Sequence, residues 1–279
     1  MKVYISVDME GIAGISHPDP TGRGDPGYAA ATELMIGEAN AAIEGAQDGG
    51  ADEIVVNDSH GRMFNLPPAA LHPAARLLQG QKAWSMVEGA QLGGFGVALF
   101  VGYHARAGDQ RGTIAHTYSF APTLTTLAGR PVGESGLNAL ALGAWGIPVG
   151  MVAGDDVVAA ETADWLPWAE AVVVKRAVGR HAAESLHPTR ARELIRAGAR
   201  RAVERARAGE AAEVPLRPLR LESPLEWRAD FCHAAEADYA ASFPGAVREG
   251  DRTVRYRTDD PIGAYRAFVA AIRLASLVE

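Results

Sequence analysis

Val3-Tyr4-Ile5-Ser6-Val7-Asp8-Met9-Glu10-Gly11 decides how the rest of the chain is read. Val3, Ile5 and Val7 are β-branched, and the run predicts a buried strand. Asp8 and Glu10 place two carboxylates where that strand runs out, and Gly11 frees the backbone for a sharp turn. In an open α/β sheet, ligands bind in the crevice beyond the carboxyl ends of the strands. Two acids there border an apolar core, which is costly unless a cation neutralises them. Residues i and i+2 of an extended strand share a side. Asp8 and Glu10 are therefore expected to converge on one divalent metal, or Asp8 to bridge two. The competing reading is a helix start, with Asp8 as N-cap and Glu10 in the first turn.

Working outward, helical spacing of Leu34, Met35, Ala39, Ala42, Ile43 and Ala46 predicts a helix over 29–47, ended by Gly49-Gly50. Residues 53–58 form a second strand with Ser59-His60-Gly61 as its terminal turn, giving a β-α-β unit and a parallel pair. A short strand is expected near 75–78. Residues 96–103 are the next strong strand, followed at once by His104. Two β-like runs, 112–119 and 123–132, suggest an antiparallel ribbon. Glu134 opens a helix to about Trp145, 148–153 is a fourth parallel strand ending in Gly154-Asp155-Asp156, a helix runs to Leu166, and 171–175 is a fifth strand.

From about residue 180 the character changes: a long Arg/Ala helix to about 207, then strand (216–221), helix (233–243), strand (248–257) and helix (261–277). Arginines at alternate strand positions suit a half-exposed sheet. The expected fold is α/β: a three-layer α/β/α Rossmann-like domain over 1–180 with a five-stranded parallel sheet, plus a smaller α/β domain over 181–279 with a mixed sheet. The ribbon near 112–132 is free to pack with the second domain.

A net charge of −7 disfavours nucleic acid and anionic membranes as partners. One cysteine, Cys232, excludes a disulfide framework and a thiolate zinc site; it reads as a small core residue rather than a nucleophile. No basic segment followed by a long apolar run precedes Asp8, and no apolar stretch reaches the roughly 18 residues that span a bilayer. A soluble, cytoplasmic protein is expected.

The strand ends line up. Asp8 and Glu10 follow strand one, His60 strand two and His104 strand three, while Glu134 starts the helix after the ribbon. Two imidazoles and three carboxylates are too many for one tetrahedral zinc. They fit two metals about 3.5–4 Å apart with a bridging carboxylate. Oxygen plus imidazole donors favour zinc, manganese or cobalt over magnesium or calcium. The bland alternatives are polar loop histidines and a helix-start acid at Glu134.

The blocks Ser6-Val7-Asp8-Met9-Glu10-Gly11, Asn57-Asp58-Ser59-His60-Gly61, Gly102-Tyr103-His104, His116 and Gly133-Glu134-Ser135-Gly136-Leu137-Asn138 resemble the zinc-dependent D-aminopeptidases of the DppA type. Val174-Lys175, Gly179-Arg180 and Ser185-Leu186-His187-Pro188 extend the resemblance, which covers nearly the whole chain and is least distinct after about residue 210. It implies that Asp8 bridges two zinc ions, that Glu10 and His60 complete one site and His104 and Glu134 the other, and that His116 is the nearby catalytic histidine. It also implies hydrolysis of short peptides from a D-amino-acid end and a homo-oligomeric, decameric ring. Without the resemblance, His116 reads as an outward-facing ribbon residue.

Asp155 and Asp156 are candidates for the substrate's ammonium, with helix capping as the stronger reading. Two rivals remain: a dinuclear phosphoesterase, which needs a basic clamp that the sequence does not place, and a non-catalytic peptide-binding or transport-associated protein with a structural metal.

Overall fold

The computed structural model of the chain describes residues 1–278. Six parallel strands and one antiparallel edge strand form its larger sheet: β1 (Lys2–Val7), β2 (Glu53–Asp58), β3 (Ala75–Leu78), β4 (Phe95–Tyr103), β7 (Val149–Asp155), β8 (Glu170–Gly179) and β9 (Ala182–Ser185), in the order β3-β2-β1-β4-β7-β8-β9. The chain leaves β1 towards one edge and then returns to build β4 on its other side. The sheet's topological switch point therefore lies between β1 and β4, where ligand crevices form.

Alternation along the strands explains the layers. Val3, Ile5 and Val7 join Ile54, Val56, Val97 and Leu99 under α1 (Tyr28–Asp48) and α4 (Pro188–Ala208). Tyr4, Val55, Ala98, Phe100 and Val152 face the other way, towards α2 (Glu134–Ala144) and α3 (Asp156–Trp165). Both faces of the central strands are buried, which is why they read in sequence as unbroken apolar runs. Arg196 of the Arg-rich helix α4 bonds Asp48 (2.7 Å) and Glu44 (2.8 Å) of α1.

A second sheet is wholly antiparallel, in the order β11 (Val247–Arg248), β12 (Thr253–Thr258), β10 (Leu225–Phe231), β5 (Pro122–Leu127) and β6 (Arg130–Pro131). Helices α5 (Ala234–Ala241) and α6 (Pro261–Ala275) cover it, and α6 also packs on α2, joining the two sheets through Trp227, Tyr265 and Phe268.

The α/β class and flanking helices are as expected, with four corrections of detail. The large sheet is two strands wider than five, because β3 pairs with β2 and β9 folds back on β8. The smaller sheet is antiparallel rather than mixed. Residues 216–221 are not a strand, since Pro218 has no N–H to give a ladder; the central strand is β10 instead. Residues 112–119 are an irregular loop, not a β-run. No helix among the described residues is long and apolar enough to cross a membrane.

Candidate metal centre

Asp8 leads into a turn over residues 9–12, closed by Ile12 N–H donating to Met9 O (3.1 Å). The strand stops at Val7, and no α-helix begins until Tyr28, so neither strand alternation nor a helix N-cap accounts for the paired acids. Contact with β4 does. Asp8 N–H donates to Val101 O (2.8 Å) and Gly11 N–H to Gly102 O (2.7 Å). Gly102 has φ of +72°, and a Cβ on Gly11 would strike the backbone of Gly102 and Tyr103. Glycine at both positions lets the exits of β1 and β4 touch, which brings Asp8 beside His104.

Two buried side chains hold the turn from behind. Lys175 Nζ donates to the carbonyls of Glu10, Ile12 (3.2 Å) and Ile15 (2.5 Å). Glu38 Oε1 on α1 accepts the Ala13 N–H (2.9 Å). Burial pushes the Lys175 ammonium down to about 8, against the pull of Asp155 and Glu38. It likewise raises Glu38 to about 7, against the Ala13 N–H and the charges of Lys175 and Arg192. Neither partnership is evident in the sequence; a lysine closing the run Val172-Val173-Val174 was its one trace.

The structure brings Asp8, Glu10, His60, His104, His116 and Glu134 into one buried cluster, none more than 9% exposed. Asp8 sits centrally, with Oδ1 3.2 Å from His60 Nδ1 and Oδ2 3.5 Å from His104 Nε2. Glu10 Oε2 lies 2.8 Å from His60 Nδ1, and Glu134 Oε1 3.5 Å from His104 Nε2. His116 Nε2 is 3.9 Å from both Glu10 Oε1 and Glu134 Oε1. The His104 and His116 rings stack at 4.2 Å, and Phe120 covers His116 at 4.6 Å.

Each imidazole is tied by one nitrogen to a backbone carbonyl. His60 Nε2 bonds Thr21 O (2.9 Å), His104 Nδ1 bonds Ala105 O (2.9 Å) and His116 Nδ1 bonds Ile114 O (2.8 Å). In the neutral ring the tied nitrogen carries the hydrogen, so the other nitrogen aims a lone pair at the carboxylates. Lone pair facing carboxylate is repulsive unless a proton or a cation lies between them. His104 Nε2 is buried without a hydrogen-bond partner, and Glu10 Oε2, although 2.8 Å from His60 Nδ1, is not aligned to hydrogen-bond with it. In protein metal sites the ligating imidazole commonly has its other nitrogen anchored in this way. Burial disfavours the charged form of every member. Glu10 beside His60 and Glu134 beside His104 outweigh it and hold both rings well above their ordinary range. Burial and the neighbouring His104 push His116 down, and burial and Glu10 raise Asp8.

The loop carrying His116 is strained. Ile114 (φ +52°) and Tyr118 (φ +63°) are both left-handed, rare for a β-branched or bulky residue. Tertiary partners impose the shape. Thr113 N–H donates to Asp155 Oδ2 (3.1 Å), Ile114 N–H to Arg180 O (2.8 Å), His116 N–H to Ala105 O (3.2 Å) and Tyr118 N–H to Glu134 Oε1 (2.6 Å). Arg180 Nη1 in turn donates to Ala115 O (2.9 Å).

Beneath the cluster runs a polar chain that sequence reading did not anticipate. Ser6 Oγ meets Ser59 Oγ (2.7 Å) and Tyr103 OH (2.8 Å); Asn138 links Tyr103 (2.9 Å) to Tyr118 (2.6 Å); and Tyr118 meets Tyr265 of α6 (3.0 Å). Above the cluster opens a cavity of about 400 Å³, walled by Asp8, Glu10, His60, His116 and Glu134 on one side and by α6 on another.

Asp155 and Asp156 stand apart from it as helix and loop anchors. Asp155 caps α3 through the Val158 N–H (2.8 Å), and Asp156 accepts the Ala177 N–H (2.7 Å). Cys232 is half-buried after β10 rather than in the core, and His233 beside it caps α5.

The sequence matches the model of peptidase family M55, D-aminopeptidase, over residues 1–270. A D-aminopeptidase of Bacillus subtilis (strain 168) is 36% identical over 277 residues, covering 99% of this chain and 98% of the relative. The fold superposes with a TM-score of 0.89 and 35% identity on the Zn-dependent D-aminopeptidase DppA from Bacillus subtilis, described as a self-compartmentalizing protease, covering 99% of this chain and 98% of that one. The chain belongs to the D-aminopeptidase family of peptidases, family M55.

Proposed function

We propose that this chain is a dinuclear zinc aminopeptidase that releases N-terminal D-amino acids, D-alanine foremost, from short peptides. The observation that carries the reading is the anchoring of three imidazoles by backbone carbonyls, each with its other nitrogen aimed among three buried carboxylates. Asp8, with one oxygen towards His60 and the other towards His104, would be shared between two ions, with Glu10 and His60 holding one and His104 and Glu134 the other. Hard oxygens with imidazole and no thiolate suit zinc, and manganese or cobalt equally by donor chemistry.

Bound zinc supplies Lewis acidity at the scissile carbonyl and lowers the pKa of the attacking water. The remaining steps belong to the chain. His116, its Nδ1 fixed on Ile114 O, presents Nε2 to the cavity as the atom that carries a proton to the leaving amine. Phe120 lies against its ring at 4.6 Å. The strained loop keeps Nε2 aimed without further reorganisation, which is where a catalytic group gains its advantage. The self-compartmentalizing relative supports a homo-oligomer, and we extend the reading to a decamer of 29.4 kDa chains, to be checked by light scattering.

The test is release of D-alanine against L-alanine from a matched pair of short peptides, by protein as isolated, after chelation and after zinc return. Activity on the D-peptide alone, lost and regained with two zinc per chain, is expected. No activity on either peptide by protein carrying two metals overturns the reading, and phosphoesters become the next substrates to try.

A further inference from the structure

We infer that Arg273 is a specificity residue that receives the free terminal carboxylate of a short peptide, so that the site recognises its substrate from both ends. The inference rests on the aminopeptidase reading and deepens it.

The wall of the cavity facing away from the sheet is one face of α6 and the residues after it: Val269, Ile272, Arg273, Ser276 and Leu277. Positions 269, 272, 273 and 276 have the spacing that stacks side chains on one side of a helix. Arg273 is the only lysine or arginine among the residues that line this cavity. It is exposed, it also borders a neighbouring cavity beside Ala83 and Arg266, and among the described residues no carboxylate lies within ion-pair distance of its guanidinium. One corner is held, since Nη2 donates to Lys82 O (2.9 Å). Among the described residues the rest of the donor fork has no hydrogen-bond partner. A guanidinium fixed at one corner and open on the others is suited to bidentate contact with a carboxylate.

Charge elsewhere in the cavity narrows the ligand. Among the described residues the other acidic and imidazole groups of the lining are Asp8, Glu10, Glu134, His60 and His116; the remaining polar groups are hydroxyls, Tyr118 and serines such as Ser59, Ser85 and Ser276. The three carboxylates are the groups proposed to hold metal, so once the scissile end occupies the metals, Arg273 is the cationic side chain the lining offers to an anionic end. A ligand that spans the cavity therefore lies with its scissile end over the cluster and its anionic end on α6. At about 400 Å³ the cavity is near the lower end of small-molecule sites, about 300–1,000 Å³, room for a peptide of two or three residues. Met63, Met86, Val269 and Ile272 line the same cavity and suit a small apolar side chain.

The experiment compares D-alanyl-glycine with D-alanyl-glycinamide on the zinc-loaded full chain, wild type and Arg273→Gln. Wild type is expected to prefer the free acid by about tenfold to a hundredfold in kcat/KM, chiefly through KM, as a charge-assisted pair of hydrogen bonds supplies. In Arg273→Gln the preference collapses to about unity, and Arg273→Lys keeps part of it; thermal midpoints check that the variants fold. Equal wild-type kcat/KM for acid and amide, or an undiminished preference in Arg273→Gln, overturns the proposal. Calorimetric binding of the same two peptides to chelated protein is the second arm. Acid binding that weakens only in Arg273→Gln, with no hydrolysis anywhere, upholds the carboxylate site while removing the peptidase reading. Equal binding of acid and amide by wild type, with hydrolysis of both, does the reverse.

Discussion

Glu38→Gln should flatten the pH dependence of stability, and the size of the effect follows from where Glu38 sits. Burial raises its carboxyl from an ordinary 4.5 to about 7, although Lys175 of β8 and Arg192 of α4 pull the other way. At about 1.36 kcal/mol per pH unit, the interval from 4.5 to about 7 amounts to about 3 kcal/mol. Below 4.5 both folded and unfolded chains carry the proton, and the term is at its most favourable. Between 4.5 and 7 the unfolded chain has released the proton while the folded one retains it, so stability falls as pH rises. Above 7 the loss is complete. Glutamine cannot ionise and keeps an Oε1 to accept the Ala13 N–H, so it removes the titration while leaving the contact. Urea unfolding of chelated wild type and variant between pH 4.5 and 8 reads the difference directly. The gap between the two should move by about 2–3 kcal/mol in favour of the variant across that range. Parallel curves, with a gap that shifts by less than about 0.5 kcal/mol, would refute the reasoning.

Lys175→Met orphans three buried carbonyls of the Glu10 turn; it should cost about 3 kcal/mol in urea unfolding and speed zinc release to a colorimetric chelator, and unchanged release kinetics would show that the turn holds Glu10 without it. Gly11→Ala drives a Cβ into the backbone of Gly102 and Tyr103, which has no flexible end to yield; a loss of about 2 kcal/mol or more by thermal melting is expected, and a melt within a degree of wild type would contradict the close approach. Asp8→Asn should lower bound zinc below two per chain by elemental analysis and remove activity that zinc return does not restore. Full stoichiometry in that variant would remove the bridging role.

The paired acids and the histidines at strand ends were legible because each is set by its own few neighbours: a β-branched run, an abrupt stop, a glycine. What brings them together was not. Asp8 and Glu10 were expected to converge by alternation along a strand, yet they converge through a turn pinned by Gly102 and Lys175. Residues 112–119 have the Thr, Ile and Tyr content of a strand, but bonds to Arg180, Asp155 and Glu134, all remote in sequence, force the left-handed backbone at Ile114 and Tyr118. In the second sheet, half-exposed strands carry weak signals. The run at 216–221 imitated one, while β10, with its alternating Leu225, Trp227, Ala229 and Phe231, was passed over. Arg273 gave no sign at all, because only the docking of α6 against α2 puts it on the cavity that His60 and His116 also line.

That docking divides labour along the chain. Every group proposed to hold metal lies at or before Glu134, whereas the opposite wall of the cavity is made by residues 269–277. During synthesis the groups proposed to bind ions emerge well before the surface proposed to select what reaches them. On this reading the same separation bears on how such a protein diversifies: substitutions on one face of a late helix would alter which molecules are accepted without disturbing the buried charges proposed to perform the reaction. Preference can therefore drift by single steps while reactivity is inherited intact.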